Sequence, residues 1–348
     1  MRHGEVARSV SAKVVWLVGL PLAAVWLGAT HVPLAARGAG AWTLAYERPS
    51  NVKYEDFAFP NSKDGWLVSA EGVILHTADS GVTWETQATG KGRLRSVDFL
   101  DPKRGFAGSV LGVLYGTTDG GVTWTDITKE LPHAPGGFCG MTHVGEQVHM
   151  VGRYYGGVTD YFFSPDGGKT WRWSDLGEVA QALVDVSFVS NSVGFIGGMA
   201  KTGPPGAGPA LILKTTDGGK SWRQVFAHDG GRGFAWKIFP ISARLIYASL
   251  QSQDGTYRIV KSTDGGDTWA VMTVATGQPE RPGLQGIGFL DENTGWVGGF
   301  FQGMYATTDG GQTWTPVILM DRTINRFERV GRTLITAGTR GVLRYDAR

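Results

Sequence analysis

Short stretches of alternating apolar and polar residues recur along the chain, and turns that are rich in glycine separate them. Within residues 94–128, LRSVDFLD alternates with period two, PKRG turns, FAGSV is a second apolar stretch, LG turns, and VLYGTTD and TWTDIT follow. Alternation with period two indicates half-buried strands, and Gly-containing turns between such stretches indicate hairpins. This region therefore predicts four antiparallel strands, here named A, B, C and D in chain order.

The turn between strands C and D carries an octet that is written six times, as TADSGVTW, TTDGGVTW, SPDGGKTW, TTDGGKSW, STDGGDTW and TTDGGQTW. Successive octets lie 40 to 51 residues apart, a period that is typical of one four-stranded propeller blade. The third and eighth positions never vary, and they are Asp79 and Trp84, Asp119 and Trp124, Asp166 and Trp171, Asp217 and Trp222, Asp264 and Trp269, and Asp309 and Trp314.

The chemistry of the octet suits a turn better than a ligand site. Its Gly residues supply the positive φ of a tight hairpin, and the Asp carboxylate can accept hydrogen bonds from backbone N–H groups of the turn. The Trp begins strand D, where its indole can fill the space between neighbouring blades. One Asp per blade cannot collect the roughly six to eight oxygen ligands of calcium. We therefore interpret the octet as a structural element.

A seventh unit lacks the octet. After the last copy, INRFERVGRTLITAGTRGVLRYDAR has the pattern of strands A, B and C. Near the other end, AWTLAYE at residues 41–47 resembles TWTDITK in having Trp second. We therefore predict an all-β, seven-bladed propeller with four-stranded antiparallel blades, in which residues 42–47 pair beside residues 341–345 and close the last blade. Closure of the ring removes two exposed sheet edges.

Residues 1–41 differ in composition from the rest of the chain. Three basic residues precede the apolar run VVWLVGLPLAAVWLGA at residues 14–29, and Ala39-Gly40-Ala41 has the small-x-small pattern of a signal peptidase site. The run is short for a spanning helix and contains Pro21. We expect residues 1–41 to be a signal peptide cleaved after Ala41, or alternatively an uncleaved anchor, and residues 42–348 to be the propeller. Both interpretations predict an exported protein, whether periplasmic, lumenal or extracellular.

Composition excludes several classes of protein. The 348 residues include 53 Gly, 13 Trp and 16 Phe, which agrees with many tight turns between well-packed strands. A net charge of +2 lacks the basic bias that is typical of nucleic-acid binding. The one cysteine cannot form an intramolecular disulfide. The sequence contains no phosphate loop, metal-ligand cluster or nucleophile elbow, and we expect no cofactor and no metal.

The octets match the Asp-box pattern Ser/Thr-x-Asp-x-Gly-x-Thr-Trp, also called the bacterial neuraminidase repeat. The pattern occurs in sialidases, some xyloglucan-cleaving glycosidases, sortilin-like receptors and the photosystem II stability and assembly factors. A longer pattern resembles the last group: a Phe is followed seven positions later by the aromatic residue of a Gly-Trp or Gly-Phe pair. This pattern begins at Phe59, Phe99, Phe188 and Phe289. The resemblance covers residues 42–348. It implies a non-enzymatic, exported, membrane-associated helper that holds a membrane protein subunit during assembly.

Candidate binding residues lie on one face of the predicted ring. The octet turns and the A-to-B turns share one face and vary little, whereas the B-to-C and D-to-A connections vary in length on the other, here called the loop face. Variable loops on a rigid scaffold are where binding usually occurs, and Arg and aromatic residues anchor interfaces. We expect a monomer that binds a membrane protein subunit through some of Arg93, Arg95, Arg153, Tyr154, Tyr155, Lys201, Arg232, Trp236 and Arg281.

A glycoside hydrolase of sialidase or xyloglucanase type is the alternative. YERP at residues 46–49 is similar to the early Phe/Tyr-Arg-Ile-Pro motif of sialidases, but Glu47 occupies the position of the Arg. A xyloglucanase-like enzyme would need paired carboxylates. Asp56, Asp98 and Asp185 recur near the ends of A strands, and recurrence with the repeat favours a structural cause. We expect a protein that binds rather than an enzyme.

Overall fold

A ring of antiparallel sheets accounts for nearly all regular structure in the described part of the chain. The computed structural model describes residues 33–34, 42–48, 52–152, 158–228, 231–278, 283–319 and 322–347. In these ranges the strands form seven sheets, and the innermost strand of each sheet contacts that of the next, with the seventh contacting the first. The predicted seven-bladed β-propeller is confirmed.

The first three blades follow one another directly along the chain, each in the order A, B, C, D. A short 3-10 helix, Thr128–Glu130, follows strand D of blade 2. The strands of blades 1 to 3 are, in turn, β3 Tyr54–Ala58, β4 Gly65–Ser69, β5 Ile74–Thr77 and β6 Glu85–Ala88; β7 Leu94–Phe99, β8 Gly105–Ser109, β9 Leu114–Thr117 and β10 Thr125–Asp126; β11 Gly140–Val144, β12 Gln147–Gly152, β13 Asp160–Ser164 and β14 Arg172–Asp175.

Blades 4 to 6 repeat this order, and blade 7 is built from both ends of the chain. Blade 7 combines β1 Pro33–Leu34 and β2 Trp42–Glu47 with three strands that follow blade 6. The remaining strands are β15 Ala180–Phe188, β16 Gly194–Ala200, β17 Ala210–Thr215 and β18 Arg223–Ala227; β19 Phe234–Pro240, β20 Ile246–Gln251, β21 Tyr257–Ser262 and β22 Ala270–Ala275; β23 Leu284–Phe289, β24 Gly295–Gly299, β25 Met304–Thr307 and β26 Thr315–Val317; β27 Ile324–Val330, β28 Thr333–Gly338 and β29 Gly341–Asp346.

The ring closes as the sequence predicts. Strand β2 pairs antiparallel with β29, so that Trp42 lies opposite Tyr345 and Glu47 lies opposite Gly341. The Trp42 side chain is only 1% exposed, and it packs edge-on against Trp296 of blade 6. Strand β1 adds a fifth, two-residue strand outside β2, which the sequence did not indicate.

Each octet forms the same set of hydrogen bonds, here described for blade 1. The Asp79 carboxylate accepts from the Thr83 backbone N–H at 2.8 Å and from the Thr83 and Thr77 hydroxyls at 2.6 and 2.8 Å. The Thr77 hydroxyl oxygen accepts from the buried Gly81 N–H at 3.0 Å. The octet Trp packs edge-on against the neighbouring Phe59. The octet therefore satisfies its own turn donors and anchors strand D.

The two faces of the ring are separated as predicted. In blade 1 the Ser80 N–H of the octet turn donates to the Lys63 carbonyl of the A-to-B turn, and the equivalent bond occurs in the other five octet blades. Octets and A-to-B turns thus share one face, here called the box face. The long connections emerge on the loop face, and the A strands line the central channel between the two faces.

Candidate binding surface on the loop face

A cavity on the loop face lies between blades 3 and 4. It has a volume of about 520 Å³ and is lined by the start of strand C of blade 3, the connection between the blades, and the B-to-C loop of blade 4 at residues 201–209. Lys201, one of the predicted binding residues, is exposed and lines this groove together with Glu178 and Asp175. The groove therefore offers charges of both signs beside the small residues Gly203 and Ala180.

One side chain holds the outer wall of this groove in place. The Gln181 amide nitrogen donates to the carbonyls of Thr202 and Pro204 at 3.0 and 3.4 Å, and its oxygen accepts from the Gly206 N–H at 2.6 Å. A Gly- and Pro-rich loop has little regular structure of its own, so these three bonds fix its path over strand A of blade 4. Sequence reasoning missed Gln181, because a single Gln gives no pattern that distinguishes it from other partly buried polar residues.

Two predicted residues from distant blades meet at the loop-face mouth of the channel. The Arg95 guanidinium of blade 2 lies 5.4 Å from the ring centre of Trp236 in blade 5. Arg95 also pairs at 3.4 Å with Glu55 of blade 1, which pairs at 3.0 Å with Lys53. Burial acts to raise the pKa of Glu55, but Arg95 and Lys53 outweigh it and hold that pKa below its ordinary value. A cross-channel cluster of paired charges and aromatic rings therefore spans the mouth.

The sequence suggested that Trp236 lies in or beside a loop, and the structure places it differently. It lies in strand A of blade 5 and is only 4% exposed. A bulge between Ala235 and Ile238 turns this part of the innermost strand toward the channel, where the indole N–H donates to Gln251. Trp236 also packs against Phe300, which is 44% exposed. Contact between Trp236 and a partner would therefore be limited to its exposed edge or pass through Phe300.

The other predicted residues occupy separate places. Arg93 is exposed at the start of blade 2, where its carbonyl accepts from the Val110 N–H and the Ser109 hydroxyl. Arg232 is exposed on the connection between blades 4 and 5. Arg153, Tyr154, Tyr155 and Arg281 lie outside the described residues.

The three carboxylates considered as glycosidase candidates, Asp56, Asp98 and Asp185, bind residues of neighbouring blades. Asp56 accepts from the Val97 N–H of blade 2 at 3.2 Å, and Asp185 accepts from the Ile238 N–H of blade 5 at 2.9 Å. Asp98 pairs with His143 of blade 3 at 2.9 Å. These bonds fasten the A strands of blades 1, 2 and 4 to those of blades 2, 3 and 5, which is a structural role.

Two basic residues in the channel, Arg326 and Lys237, pair with these carboxylates, and the sequence analysis did not single them out. Arg326 lies 2.9 Å from Asp56 and 3.8 Å from Asp185, and the Lys237 ammonium lies 2.9 Å from Asp185. The charges of blades 1, 4, 5 and 7 thus meet in one network. Within the described ranges, no group of three or more His, Cys, Asp or Glu side chains is arranged to hold a metal ion.

The box-face end of the channel contains a second, smaller cavity of about 230 Å³, lined in part by Arg326, Glu328 and Asp185. Glu328 pairs with Arg326 at 3.4 Å. Burial raises the pKa of Glu328 to about 7, with a further contribution from Asp56, Asp98 and Asp185 that Arg326 only partly offsets. This carboxyl therefore titrates near neutral pH.

Comparison with known proteins agrees with the repeat and the fold. The family described as "Photosynthesis system II assembly factor YCF48" matches residues 39–154, and the BNR/Asp-box repeat matches residues 305–316. The photosystem II assembly lipoprotein Ycf48 of Synechococcus sp. (strain CC9902) is 29% identical over 151 residues, which are 41% of this chain and 39% of the relative. The match thus spans about two fifths of that relative's length. The chain is an Asp-box propeller that resembles this family.

Solved structures share the architecture at low sequence identity. A structure described as YCF48 bound to D1 peptide superposes with a TM-score of 0.67 at 18% identity, covering 91% of this chain and all of that chain. The GH74 xyloglucanase from Xanthomonas campestris superposes with a TM-score of 0.59 at 13% identity, covering 89% of this chain and 59% of the enzyme. At such identities the likeness establishes the fold alone, since unrelated functions occur on one fold.

Proposed function

We propose that this chain is an exported, non-enzymatic scaffold, similar to the photosystem II assembly factors, that binds a protein subunit of a membrane complex on its loop face. The observation that carries the proposal is the groove between blades 3 and 4, whose wall is a long Gly/Pro-rich loop fixed by Gln181. Variable loops on a rigid scaffold are where binding usually occurs, and this loop is held in place beside charges of both signs. The structure described as YCF48 bound to D1 peptide supports this choice, because it is a propeller of the same fold that holds a peptide.

The channel gives little support to the glycoside hydrolase alternative. Retaining or inverting chemistry needs two carboxyl groups that flank a substrate bond. Asp56 and Asp185 are at most 4% exposed and bound to cations and backbone N–H groups, and Asp98 is paired with His143. Carboxylates held in these ion pairs and hydrogen bonds already make structural contacts, which disfavours a catalytic role. Release of reducing sugar from an oligosaccharide panel would contradict the proposal.

Affinity capture from detergent-solubilised membranes tests the partner and the face. The tagged chain should retain a membrane protein subunit. Shortening residues 202–209, or the change Lys201→Glu, should remove that subunit while leaving the melting temperature within a few degrees. Lys103→Glu on the box face is the matched control, because Lys103 is exposed. Its neighbour Arg104 is kept, since it binds Glu146 and joins blades 2 and 3. Loss of the subunit in the control alone would place the site on the box face.

Export rests on the apolar run at residues 14–29 and the small-x-small pattern that ends at Ala41. Cleavage after Ala41 would remove Pro33–Leu34 but would leave β2, which begins at Trp42, in the ring. We therefore expect a mature chain that starts at Trp42 and remains a closed monomeric propeller. N-terminal sequencing of the protein from its native host checks this, and a start at Met1 would indicate an anchor.

A further inference from the structure

The blades differ in how their outer edges are protected against pairing with another chain. Strand D of a blade presents one row of backbone N–H and C=O groups outward, and such an edge can pair with an added strand. Charged residues or Pro in an edge strand discourage that pairing. In the described part of the chain, every strand D except one contains such a residue: Glu47 in β2, Glu85 in β6, Asp126 in β10, Arg172 and Asp175 in β14, Arg223 in β18, and Pro316 in β26. The exception is β22 of blade 5, Ala270–Ala275.

Strand β22 is also long and accessible. Its six residues equal those of β2 and exceed those of the other D strands. Ala270, Val271 and Thr273 are exposed, and no residue in the range 268–278 is charged. Within the described ranges, no strand pairs with the outer edge of β22. This edge therefore carries no charged side chain and no added strand.

The first part of β22 has regular backbone pairing. Residues 270–273 pair in unbroken register with β21, and Val274 is the extra residue of a bulge. Strands β6 and β18 contain an irregularity at the equivalent place, so the bulge gives β22 no protection that the charged edges lack. The regular part is about 13 Å long at roughly 3.3 Å per residue. It is a template for an extended segment of similar length.

An added segment would meet uncharged side chains on both faces of the sheet. Val271 is 45% exposed and lies opposite Val260, which packs toward blade 4. Met272 lies opposite Ile259, and both pack toward blade 6. Cross-strand neighbours on one face stabilise a sheet, and β-branched or apolar residues suit such neighbours. The edge therefore fits an extended segment that lacks charges and contains residues of this type.

A flexible segment fits this edge better than a second copy of the chain does. Two copies joined along about 13 Å of edge would bury far less than the roughly 1,200 Å² of a stable interface. Val271 is the only exposed large hydrophobic residue described in blade 5, so little apolar surface would extend that contact. A short segment, in contrast, is already added at another edge of the ring, where β1 Pro33–Leu34 pairs antiparallel with β2.

We propose that the outer edge of β22 binds an extended, uncharged segment of a partner protein as an antiparallel fifth strand of blade 5. Backbone hydrogen bonds give such a contact its affinity, and the side chains that lie beside Val271 and Met272 give it selectivity. The inference goes beyond the loop-face groove, because β22 forms the rim of blade 5 and the groove lies between blades 3 and 4. Loss of either contact therefore leaves the other measurable.

Fluorescence anisotropy and amide hydrogen exchange test the proposal on the purified chain. The probe is a labelled, capped peptide of alternating Thr and Val, and its control is the same peptide with two consecutive N-methyl groups at the centre, which removes donors from both of its edges. The unmodified peptide should bind with little dependence on salt and should slow exchange within residues 268–278. The N-methylated peptide should bind about tenfold more weakly. Equal binding of the two peptides, no binding by either, or slowed exchange in another strand D instead would overturn the proposal.

A variant of the edge gives an independent test. Val271→Lys places a charge on an exposed position of β22 and should weaken peptide binding by about fivefold or more. Thr86→Lys in β6 is the matched control, because Thr86 and Val271 both lie two positions after the octet Trp of their blades. It should bind the peptide like the unchanged chain, and circular dichroism melting should show that both variants fold. Unchanged affinity of Val271→Lys would overturn the proposal. So would a dimer in ultracentrifugation that Val271→Lys abolishes, since a second copy would then occupy the edge.

Discussion

The closure of blade 7 makes the strongest quantitative prediction, for the change Trp42→Ala. The Trp42 ring lies 5.3 Å from that of Trp296, 5.4 Å from Tyr345 and 6.2 Å from Phe327. Replacing a fully buried Trp by Ala removes this packing and leaves a cavity, at a cost of about 3–5 kcal/mol. The loss should approach the upper part of that range, because the site joins blades 6 and 7 where strand β2, from the N-terminal end of the chain, closes the ring.

Urea unfolding followed by circular dichroism measures this cost. For Trp42→Ala the midpoint should fall with little change in the denaturant slope, as expected when stability alone changes. Thr43→Ala is the matched control, because Thr43 is next in the same strand and its part-buried hydroxyl makes one bond to the Arg344 carbonyl at 3.2 Å; it should lose about 1 kcal/mol or less. A loss below about 1 kcal/mol for Trp42→Ala would refute the view that β2 closes the ring.

Three further predictions concern the octet, the channel and the groove. Thr77→Val leaves the buried Gly81 N–H unpaired and should lower the free energy of unfolding by about 1–3 kcal/mol; an unchanged urea midpoint would contradict the role given to the octet hydroxyl. Glu328, whose pKa rises from 4.5 to about 7 on folding, binds a proton more tightly when folded, so this group makes the protein more stable as pH falls from 8 toward 5. Glu328→Gln should therefore raise the melting temperature at pH 8 and flatten this dependence, and a lower melting temperature at pH 8 would show that the ionised carboxylate is stabilising. Gln181→Ala should weaken capture of the partner while shifting melting by only a few degrees. Gln181→Glu keeps the acceptor for Gly206 but places a carboxylate oxygen against the Thr202 and Pro204 carbonyls, so it should weaken capture at least as much; full capture by Gln181→Ala would remove the groove from the binding site.

The sequence by itself determined the repeat, the order of strands and the closure. Hairpins and octet turns are local structures, so the residues that specify them lie within about ten positions of one another. The octet bonds around Asp79 are therefore found as predicted. The pairing of Trp42 with Tyr345 is not local, but it was predicted because the last unit lacks a D strand and residues 41–47 resemble one. The strand ends differ by a residue or so: strand B of blade 2 is Gly105–Ser109, one position earlier than its apolar stretch. The face on which the long loops lie also follows from strand order alone.

Only the tertiary structure decided which side chains meet. Arg95 and Trp236 are 141 positions apart and become neighbours because ring closure brings blades 2 and 5 to opposite sides of one narrow channel. Alternation in an A strand shows that every second residue shares a face, but the bulge at residues 235–238 shifts that register. Trp236 is consequently buried. Ring closure also brings Arg326 of blade 7 close to both Asp56 of blade 1 and Asp185 of blade 4. Such contacts depend on the curvature of the whole ring, which no single repeat contains.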